Sequence, residues 1–455
     1  MNNTINNNNL KSLNKKHTLF ILENLFSKLK NHDFLKKYVK KENAFIRDRK
    51  LNLITVSSHL FARGLTSLNN FLNQEIYKRK HTVSKQAFSK ARVNISPNLF
   101  ADLNNQLLED KYLLKDCINL YKKKYLLLDV DGSSAEIPNT KNLRDKYGHT
   151  KSQDGSKQNA RCSFSNIYDP LNSLIIGIDI DKFGTSERTM AFKMIDQIRC
   201  SKVFKEYNKL YLFDRGYFSK EMLIRFLFEE SNYLFRIKSN NLKNVRKQMT
   251  GKDEVIKVKL KEINGTIKNE TIKNLSKEFK DLEINLRISY IKLSSGEEEI
   301  LLSNIPIEDV NYKEMKDLYF KRWRIEENYK YLKSKMELEN FSGRSVISVK
   351  QDFYACMLQA NINYLINCVA NEEIKNKESN KYGYKINNNT LVGKTKELFN
   401  LVVIINVKKI MSWIWKIIKN IRSSKVVVRD GTLSNKRNID TRTRANRYNT
   451  NFRAT

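Results

Sequence analysis

The sequence lacks a cysteine framework and a secretion signal. Its five cysteines are odd in number, widely separated and without a CxxC pair. This usage argues against both a disulfide framework and a structural zinc site, so we interpret the cysteines as reduced core residues. The Asn-rich start has no apolar segment with a small-residue cleavage site, which gives secretion no support and predicts a chain that stays inside the cell.

Long apolar runs are also missing. The most apolar stretch, LVVIINVKKIMSWIWKII, is broken by Lys408 and Lys409 and repeats like an amphipathic helix. A membrane-spanning helix needs about 20 consecutive apolar residues. We therefore predict no transmembrane helix and expect no membrane partner.

Acidic residues are scarce relative to basic ones. Among 455 residues, Lys and Arg number 84 and Asp and Glu number 49, which gives a formal net charge of +35. An excess of this size favours a polyanionic partner, and nucleic acid is the leading candidate. The length predicts two to four domains, because a single hydrophobic core rarely grows beyond about 250 to 300 residues.

The apolar pattern predicts how the chain is divided. Helical spacing dominates up to about residue 120, strands and helices then alternate, and helical spacing returns after residue 345. The predicted segments are a disordered Asn-rich start at 1–16, a helical DNA-binding domain at 17–120, an α/β catalytic domain at 121–345, a helical region with a candidate dimerisation role at 346–422, and a flexible basic tail at 423–455.

The order of elements within 121–345 predicts a mixed α/β sheet. Three strand patterns come first and are followed by helix, strand, helix and strand, which joins an antiparallel meander to parallel crossovers. This β-β-β-α-β-α-β order is that of ribonuclease H-like cores. A mainly β insertion is predicted at about 239–300, and it includes a hairpin formed by LRISYIKL and EEEILLSNI.

Two aspartates end apolar strand patterns, and a glutamate follows on a later helix. Asp131 closes LLLDVDG, Asp214 closes LYLFDRGY, and Glu326 lies in the helix. Carboxylates at the carboxyl ends of adjacent parallel strands meet at one edge of a sheet, where a helical glutamate can complete the set. Because three such groups repel one another, we predict that they hold two Mg²⁺ ions, about 3.5 to 4 Å apart, for phosphodiester chemistry. Mn²⁺ is expected to substitute.

The stretch YFKRWRIEENYKYLK carries a polar stripe. At about 100° per residue, a helix places Tyr319, Arg322, Glu326, Tyr329 and Lys333 within an arc of roughly 80°. A solvated face with i,i+4 ion pairs is one explanation of such a stripe. If Glu326 holds a metal ion, Arg322 and Lys333 can instead bind phosphates on either side of the scissile bond, and Tyr319 can hydrogen-bond or stack beside them.

One uninterrupted helix is predicted to carry this stripe. Asn311 and Glu314 form a capping-box pattern at its start. Neither Gly nor Pro occurs between Glu314 and Asn340. The five stripe residues are therefore expected on one face of a single helix.

A second helical pattern near the N-terminus is basic. The stretch TVSKQAFSKARVNISPNLF offers Ser84 as an N-cap and places Lys85, Lys90 and Arg92 on a short helix. These three residues are candidate DNA contacts. A plain helical hairpin fits the same pattern nearly as well.

At these positions the sequence resembles DDE-type insertion-sequence transposases, specifically the insertion-sequence four family with its Tyr-(2)-Arg-(3)-Glu-(6)-Lys signature. Every position and gap of the signature is matched, by Tyr319, Arg322, Glu326 and Lys333. The likeness extends to DVDGSS, DRGY and SKQAFSKARVNISP and spans roughly residues 80 to 345. In that family the first aspartate precedes Gly or Thr and a hydroxyl residue, which selects Asp131.

The resemblance implies a function. It implies a ribonuclease H-like catalytic domain, a helical DNA-binding N-terminus, metal-dependent cleavage at the terminal repeats of an element through hairpin ends, and strand transfer into double-stranded target DNA. A homodimer on DNA and a location at the nucleoid of the bacterial cytoplasm follow from the same resemblance. Trp323, Arg215 and Tyr217 are further candidate DNA contacts, although an aromatic residue such as Trp323 at helical spacing is more often a core residue.

Two other functions remain open on the sequence. One is a ribonuclease H-like structure-specific nuclease that cuts DNA without strand transfer. The other is a catalytically silent DNA-binding derivative that acts as a regulator. An assay that separates cleavage from joining distinguishes these functions.

Overall fold

A computed structural model of the chain describes residues 2–47, 50–62, 72, 83–151, 158–229, 231–293, 296–375 and 383–427. The chain folds into two compact units. The helical unit falls within Met1–Cys117, Ala135–Cys162 and Lys330–Thr455, and the sheet unit comprises Ile118–Ser134 and Ser163–Tyr329.

The elements follow in chain order. The N-terminal part contains helices α1 (Asn2–Leu29), α2 (His32–Lys36), α3 (Leu53–Ala62), α4 (Lys85–Arg92) and α5 (Asn98–Leu113). The central part contains β1 (Tyr125–Glu136), α6 (Lys141–Tyr147), β2 (His149–Lys151), β3 (Gln158–Asp169), β4 (Leu174–Lys182), α7 (Glu187–Cys200), α8 (Lys202–Lys205), β5 (Asn208–Phe213), α9 (Lys220–Phe228), β6 (Asn232–Ile237), α10 (Lys243–Arg246), β7 (Asp253–Lys259), α11 (Glu270–Glu278), β8 (Glu283–Lys292), β9 (Glu298–Ser303), α12 (Tyr312–Phe320) and α13 (Trp323–Ser334). The C-terminal part contains α14 (Val346–Lys375), β10 (Tyr384–Ile386), α15 (Asn388–Leu401), α16 (Val407–Ile421) and β11 (Lys425–Val427).

The sheet unit is built on one mixed sheet, as the sequence predicts. Within this unit the strand order is β4-β3-β1-β5-β6-β9-β8-β7. The central strands β1, β5 and β6 are parallel to one another, while β9 and β8 run antiparallel to their neighbours. The predicted order of three strands, helix, strand, helix and strand is confirmed, with α6 and β2 as additions between the first two long strands.

The predicted insertion continues the central sheet. Its strands β7 and β8 pair with each other, β8 pairs with β9, and β9 pairs with β6. The hairpin predicted from LRISYIKL and EEEILLSNI is the β8–β9 pair. Besides these strands, the insertion contains α11 and the short α10.

One face of this sheet is covered by α12. Its cluster of buried residues includes Leu127 of β1, Leu212 of β5, Leu234 of β6, and Met315 and Leu318 of α12. Side chains two residues apart along a strand point to the same face. Residues that follow these leucines at steps of two therefore lie on the face that α12 covers.

The helical unit contains regions that the sequence assigned to separate domains. Residues of the predicted 17–120 and 346–422 segments fall in this one unit. Its core includes Phe26 of α1, Phe61 of α3, Leu103 of α5, Phe353 of α14 and Phe399 of α15, each at most 1% exposed. A short two-stranded sheet joins β10 and β11 in antiparallel orientation.

The ends of the chain differ from expectation. Residues 1–16 were expected to be disordered, but α1 begins at Asn2. The second half of α1 buries Ile21, Leu25 and Phe26, and extending an existing helix costs far less than starting one. Of the predicted flexible tail at 423–455, residues 425–427 form β11 and residues 428–455 lie outside the described part.

The stretch that includes LVVIINVKKIMSWIWKII divides between the end of α15 and α16. Its isoleucines at one side of α16 are buried in the helical unit. Across the part of the chain that the structure describes, no helix combines the length and the apolar character needed to cross a membrane.

Candidate active site

Polar side chains continue the apolar rows of the sheet at one end of its parallel strands. Asp131 lies four residues beyond Leu127, and Asp214 lies two beyond Leu212, so both belong to the face under α12. The last paired positions of β1 and β5 are Val130 and Phe213. Asp131 and Asp214 are each the next residue, which makes them neighbours across the strands.

Asp131 does not end its strand, which corrects one prediction. β1 runs on to Glu136, so Asp131 lies near its middle. The strand that ends beside Asp131 is β5, the parallel neighbour of β1, whose last residue is Phe213. The aspartate therefore lies at the edge of the parallel core even though its own strand continues.

The stripe helix is broken, which corrects a second prediction. The capping box of Asn311 and Glu314 is present, with both hydrogen bonds formed. However, α12 ends at Phe320 and α13 begins at Trp323. Between them the amide of Arg322 donates to the carbonyl of Tyr319 at 3.0 Å, three residues back, so the chain tightens into a turn there.

Arg322 connects the three predicted catalytic carboxylates. Its Nη2 donates to Oε1 of Glu326 at 2.9 Å, and its side chain is only 3% exposed. Burial alone would lower the pKa of Arg322, but Tyr319, Asp214, Asp131 and Glu326 raise it above the usual value. Glu326 therefore accepts a hydrogen bond from the buried guanidinium, and the charges of Asp131 and Asp214 lie close enough to influence it.

Asp131 is held through its backbone. Its carbonyl oxygen accepts hydrogen bonds from the hydroxyls of Ser165, at 2.7 Å, and Tyr329, at 2.5 Å. Burial raises the pKa of its carboxyl to about 7, and nearby Glu187 and Glu326 add to this effect while Arg322 opposes it. Tyr329, the fourth residue of the stripe, is therefore a buried positioning residue.

Asp214 lies in a second ionic network. Its Oδ1 accepts a hydrogen bond from Nε of Arg236 at 2.7 Å and one from the amide of Arg215 at 2.6 Å. Burial would raise the pKa of Asp214, but these hydrogen bonds and the charges of Arg322 and Arg236 lower it. Nη1 of Arg236 also donates to Glu299 on β9. The pKa of Asp214 is thus lowered while that of Asp131 is raised, so Asp214 stays ionised at pH values at which Asp131 becomes protonated.

Sequence reasoning missed a fourth carboxylate, Glu187, the first residue of α7. A Cβ added to Gly132 would lie 2.7 Å from its Cγ, and one added to Gly216 would lie 3.8 Å from its Oε2. Glu187 thus packs beside the backbone that follows Asp131 and Asp214. Partial burial and the charge of Asp214 raise its pKa. An acidic residue at a helix start resembles a simple dipole interaction, so no separate signal marks Glu187 in the sequence.

A buried aspartate also precedes the site. Asp129 is 0% exposed, and neither of its carboxylate oxygens has a hydrogen-bond partner among the described residues. Burial and the nearby Asp169 raise its pKa well above the usual value. The neutral acid is therefore favoured at Asp129, and Asp131, which is only partly buried, is the more accessible of the two carboxyl groups.

The aromatic candidates divide between buried and exposed positions. Tyr319 is 4% exposed, and the guanidiniums of Arg322 and Arg236 lie 5.8 and 6.0 Å from its ring centre. Tyr217 is 1% exposed, so it is not presented to DNA. Trp323 is 50% exposed, which makes its interpretation as a core residue wrong.

The basic candidates also divide. Lys85 and Lys90 are exposed on α4, whose N-cap Ser84 accepts a hydrogen bond from the amide of Ala87. Arg92 is 3% exposed and pairs with Asp352 at 3.0 Å, so its prediction as a DNA contact is corrected. The half-exposed guanidinium of Arg215 lies 3.8 Å from the carboxylate of Glu299.

Lys333 belongs to the helical unit. Burial lowers its pKa, and Arg161 does so as well, whereas Glu339 raises it. The structure therefore surrounds this signature residue with charges of both signs. It is partly buried rather than fully exposed.

Among the described residues, the side chains do not form a preformed metal-binding site. No group of three or more His, Cys, Asp or Glu side chains in this part of the chain is spaced to hold an ion. The donor chemistry nevertheless fits a hard divalent cation, because carboxylate oxygens are its preferred ligands and Mg²⁺ is commonly held by one or two carboxylates together with substrate phosphates. Arg322 supplies the positive charge among the carboxylates of this structure.

Comparison with known proteins identifies the family. Residues 122–362, more than half of the chain, match the family described as the transposase DDE domain. A search of curated proteins gave no match. The matched span contains the carboxylates around Arg322 as well as the sheet that positions them. The chain therefore belongs to the transposase DDE domain family.

Proposed function

We propose that this protein is a DNA transposase of the insertion-sequence four family, with Asp131, Asp214 and Glu326 as its catalytic carboxylates. The observation that supports the proposal is that the buried guanidinium of Arg322 donates a hydrogen bond to Glu326 and has its pKa raised by the nearby charges of Asp214 and Asp131. Ordinary surface ion pairs would not gather acids from two strands and a later helix around one cation. The Tyr-Arg-Glu-Lys signature supports the same assignment.

The three carboxylates would hold Mg²⁺ or Mn²⁺ together with phosphate oxygens of DNA. When bound, two such ions supply an activated water or 3′-hydroxyl and stabilise the leaving oxygen. The chain's own contribution is to orient the ligands: Ser165 and Tyr329 fix the backbone of Asp131, and Arg236 fixes Asp214. Arg322 offsets the mutual repulsion of the carboxylates and keeps its charge under all ordinary conditions.

The exposed residues beside the site would contact DNA. Trp323 and Phe320 are 50% and 47% exposed and flank the turn that contains Arg322. Exposed aromatics can stack on unpaired bases, as the proposed hairpin at the element ends requires. Tyr319 and Arg322 are both buried, so their predicted roles as direct DNA contacts are corrected, and Tyr319 supports Arg322 from the core. Lys333, which is partly exposed, remains the proposed phosphate contact of the signature. The proposal includes a homodimer that pairs two element ends in the bacterial cytoplasm.

A cleavage and joining assay tests this proposal. The substrate is a plasmid that carries the DNA flanking the gene, incubated with Mg²⁺ and a second, target plasmid. We expect Asp131→Asn, Asp214→Asn and Glu326→Gln each to abolish cleavage while DNA binding persists, because each removes one ligand charge. Glu308→Gln, at an exposed position, is the matched control.

The products discriminate among functions. Hairpin ends and joined target DNA are expected of a transposase. Cleavage without joined product would instead indicate a structure-specific nuclease. Substantial residual cleavage by any one of the three variants would remove that residue from the catalytic set.

A further inference from the structure

The exposed face of α16 is strongly basic. Ile410, Ile414, Ile417, Ile418 and Ile421 are buried on its other side. Four lysines are exposed: Lys408, Lys409, Lys416 and Lys419. At about 100° per residue, these four lie within an arc of roughly 100°. The first and the last of them are about 17 Å apart along the helix axis, at about 1.5 Å per residue.

No acidic residue accompanies these lysines. Residues 398–429 contain seven Lys or Arg residues and no Asp or Glu. Within the described part of the chain, none of the four lysines forms an ion pair with a carboxylate. Lys408 and Lys409 also lie in the first turn of α16, where a positive charge opposes the helix dipole. Helix stability therefore does not explain the lysines.

An exposed tryptophan adjoins the lysine face. Trp415 is 46% exposed, and Nζ of Lys15 from α1 lies 4.5 Å from its ring centre. Nζ of Lys416 lies 5.6 Å from the ring centre of Trp413. Lysine and tryptophan together also occur on helices that lie on anionic membranes, but such helices insert an apolar face. The apolar face of α16 is already buried in the helical unit, so a membrane is the weaker fit.

We propose that the face formed by Lys408, Lys409, Lys416 and Lys419 binds the phosphate backbone of duplex DNA without reading its sequence. This inference rests on the proposed function, since it assigns a DNA contact surface to the same enzyme. Each DNA strand carries a phosphate about every 3.4 Å along the axis, so a face about 17 Å long faces several phosphates. Each lysine that neutralises a phosphate releases counterions, which makes binding depend on salt.

The test measures how binding of a random-sequence duplex varies with salt, using the full chain without metal. A variant with all four lysines changed to alanine should lower the slope of log affinity against log salt by about 0.9 for each phosphate that is no longer neutralised, up to about 3.6. Changing the same four lysines to arginine should restore the slope. The pairs Lys408→Ala/Lys409→Ala and Lys416→Ala/Lys419→Ala should each produce part of the decrease.

A control variant matches the change in charge. It replaces four exposed lysines of the sheet unit with alanine: Lys252, Lys268, Lys277 and Lys280. The control should reduce the slope clearly less than the α16 variant does. An equal reduction would mean that net charge alone governs binding and would overturn the proposal, as would an unchanged slope in the α16 variant.

Two further outcomes keep the conclusions separate. If the unaltered chain shows no salt-dependent DNA binding, the proposed function itself fails. If it binds DNA but the α16 lysines govern only binding to phosphatidylserine vesicles, the surface is a membrane contact and this inference alone fails. Unchanged circular dichroism of each variant ensures that the weaker binding is not caused by unfolding.

Discussion

Removing the guanidinium of Arg322 should destabilise the sheet unit in a way that a divalent cation can repair. Arg322→Ala deletes a positive charge that hydrogen-bonds Glu326 and lies near Asp131 and Asp214. The three carboxylates would then repel one another in a poorly solvated place. The pKa of Asp131, already raised to about 7 by burial, should rise further because Arg322 lowers it.

The structure sets the size of the effect. Breaking a fully buried ion pair typically costs about 3–5 kcal/mol of unfolding free energy. The side chains of Glu326 and Asp214 are 31% and 33% exposed, so water screens part of the repulsion. We therefore expect a decrease of about 2–3 kcal/mol for Arg322→Ala in metal-free buffer. Arg322→Lys should be less destabilising, since the charge remains.

Urea unfolding followed by tryptophan fluorescence measures this decrease. Replacing Trp413 and Trp415 by Phe leaves Trp323 as the reporter of the sheet unit. At pH 8, Mg²⁺ at about ten times its dissociation constant should return about 1.4 kcal/mol to Arg322→Ala. The control Lys313→Ala removes an exposed charge from α12 and should change stability little. The reasoning is refuted if Mg²⁺ stabilises Arg322→Ala no more than the unaltered chain.

Three further predictions concern pH, the helical unit and Gly132. Because the folded-state pKa of Asp131 is about 7 rather than 3.8, the contribution of Asp131 to the unfolding free energy should be greatest below pH 4 and be lost as pH rises through 7. In denaturation titrations with EDTA, the difference between the wild type and Asp131→Asn should therefore change over this range by at most about 4 kcal/mol. Arg92→Ala should lower the unfolding free energy by about 3–5 kcal/mol, because it breaks the buried ion pair with Asp352. The control Lys90→Ala, at an exposed position, should leave the unfolding free energy nearly unchanged. Equal stabilities of the two variants in urea would contradict the buried role of Arg92. Gly132→Ala should reduce cleavage, because the added Cβ would lie 2.7 Å from Cγ of Glu187. Glu187→Ala removes that Cγ, so the double variant should recover part of the cleavage activity in a double-mutant cycle.

The sequence predicted the fold where local pattern determines structure. The mixed sheet, the β8–β9 hairpin and the capping box at Asn311 all follow from short-range periodicity and capping chemistry. The break at residues 321–322 could not be predicted in this way, since no Gly or Pro marks it. It depends on packing: Tyr319 and Arg322 are both buried, on either side of the turn.

Site residues were harder to predict where their partners are distant in sequence. Arg92 lies 260 positions from its partner Asp352, so nothing local distinguished it from the exposed Lys90 of the same helix. Glu187 and Arg236 belong to ordinary helix and strand patterns. The sheet register places Arg236 beside Asp214, and tertiary packing places Glu187 beside Gly132 and Gly216.

The return strand β9 has a consequence for building hybrid enzymes. β9 pairs with β6 and supplies Glu299, which accepts a hydrogen bond from the same Arg236 that donates to Asp214. Removing the insertion up to residue 300 would therefore also remove Glu299, a hydrogen-bond partner of the arginine that holds the proposed catalytic carboxylate of Asp214. In a chimera, the junction should be placed before Glu298, the first residue of β9. The foreign sequence then replaces β7 and β8, and β9 with Glu299 is kept.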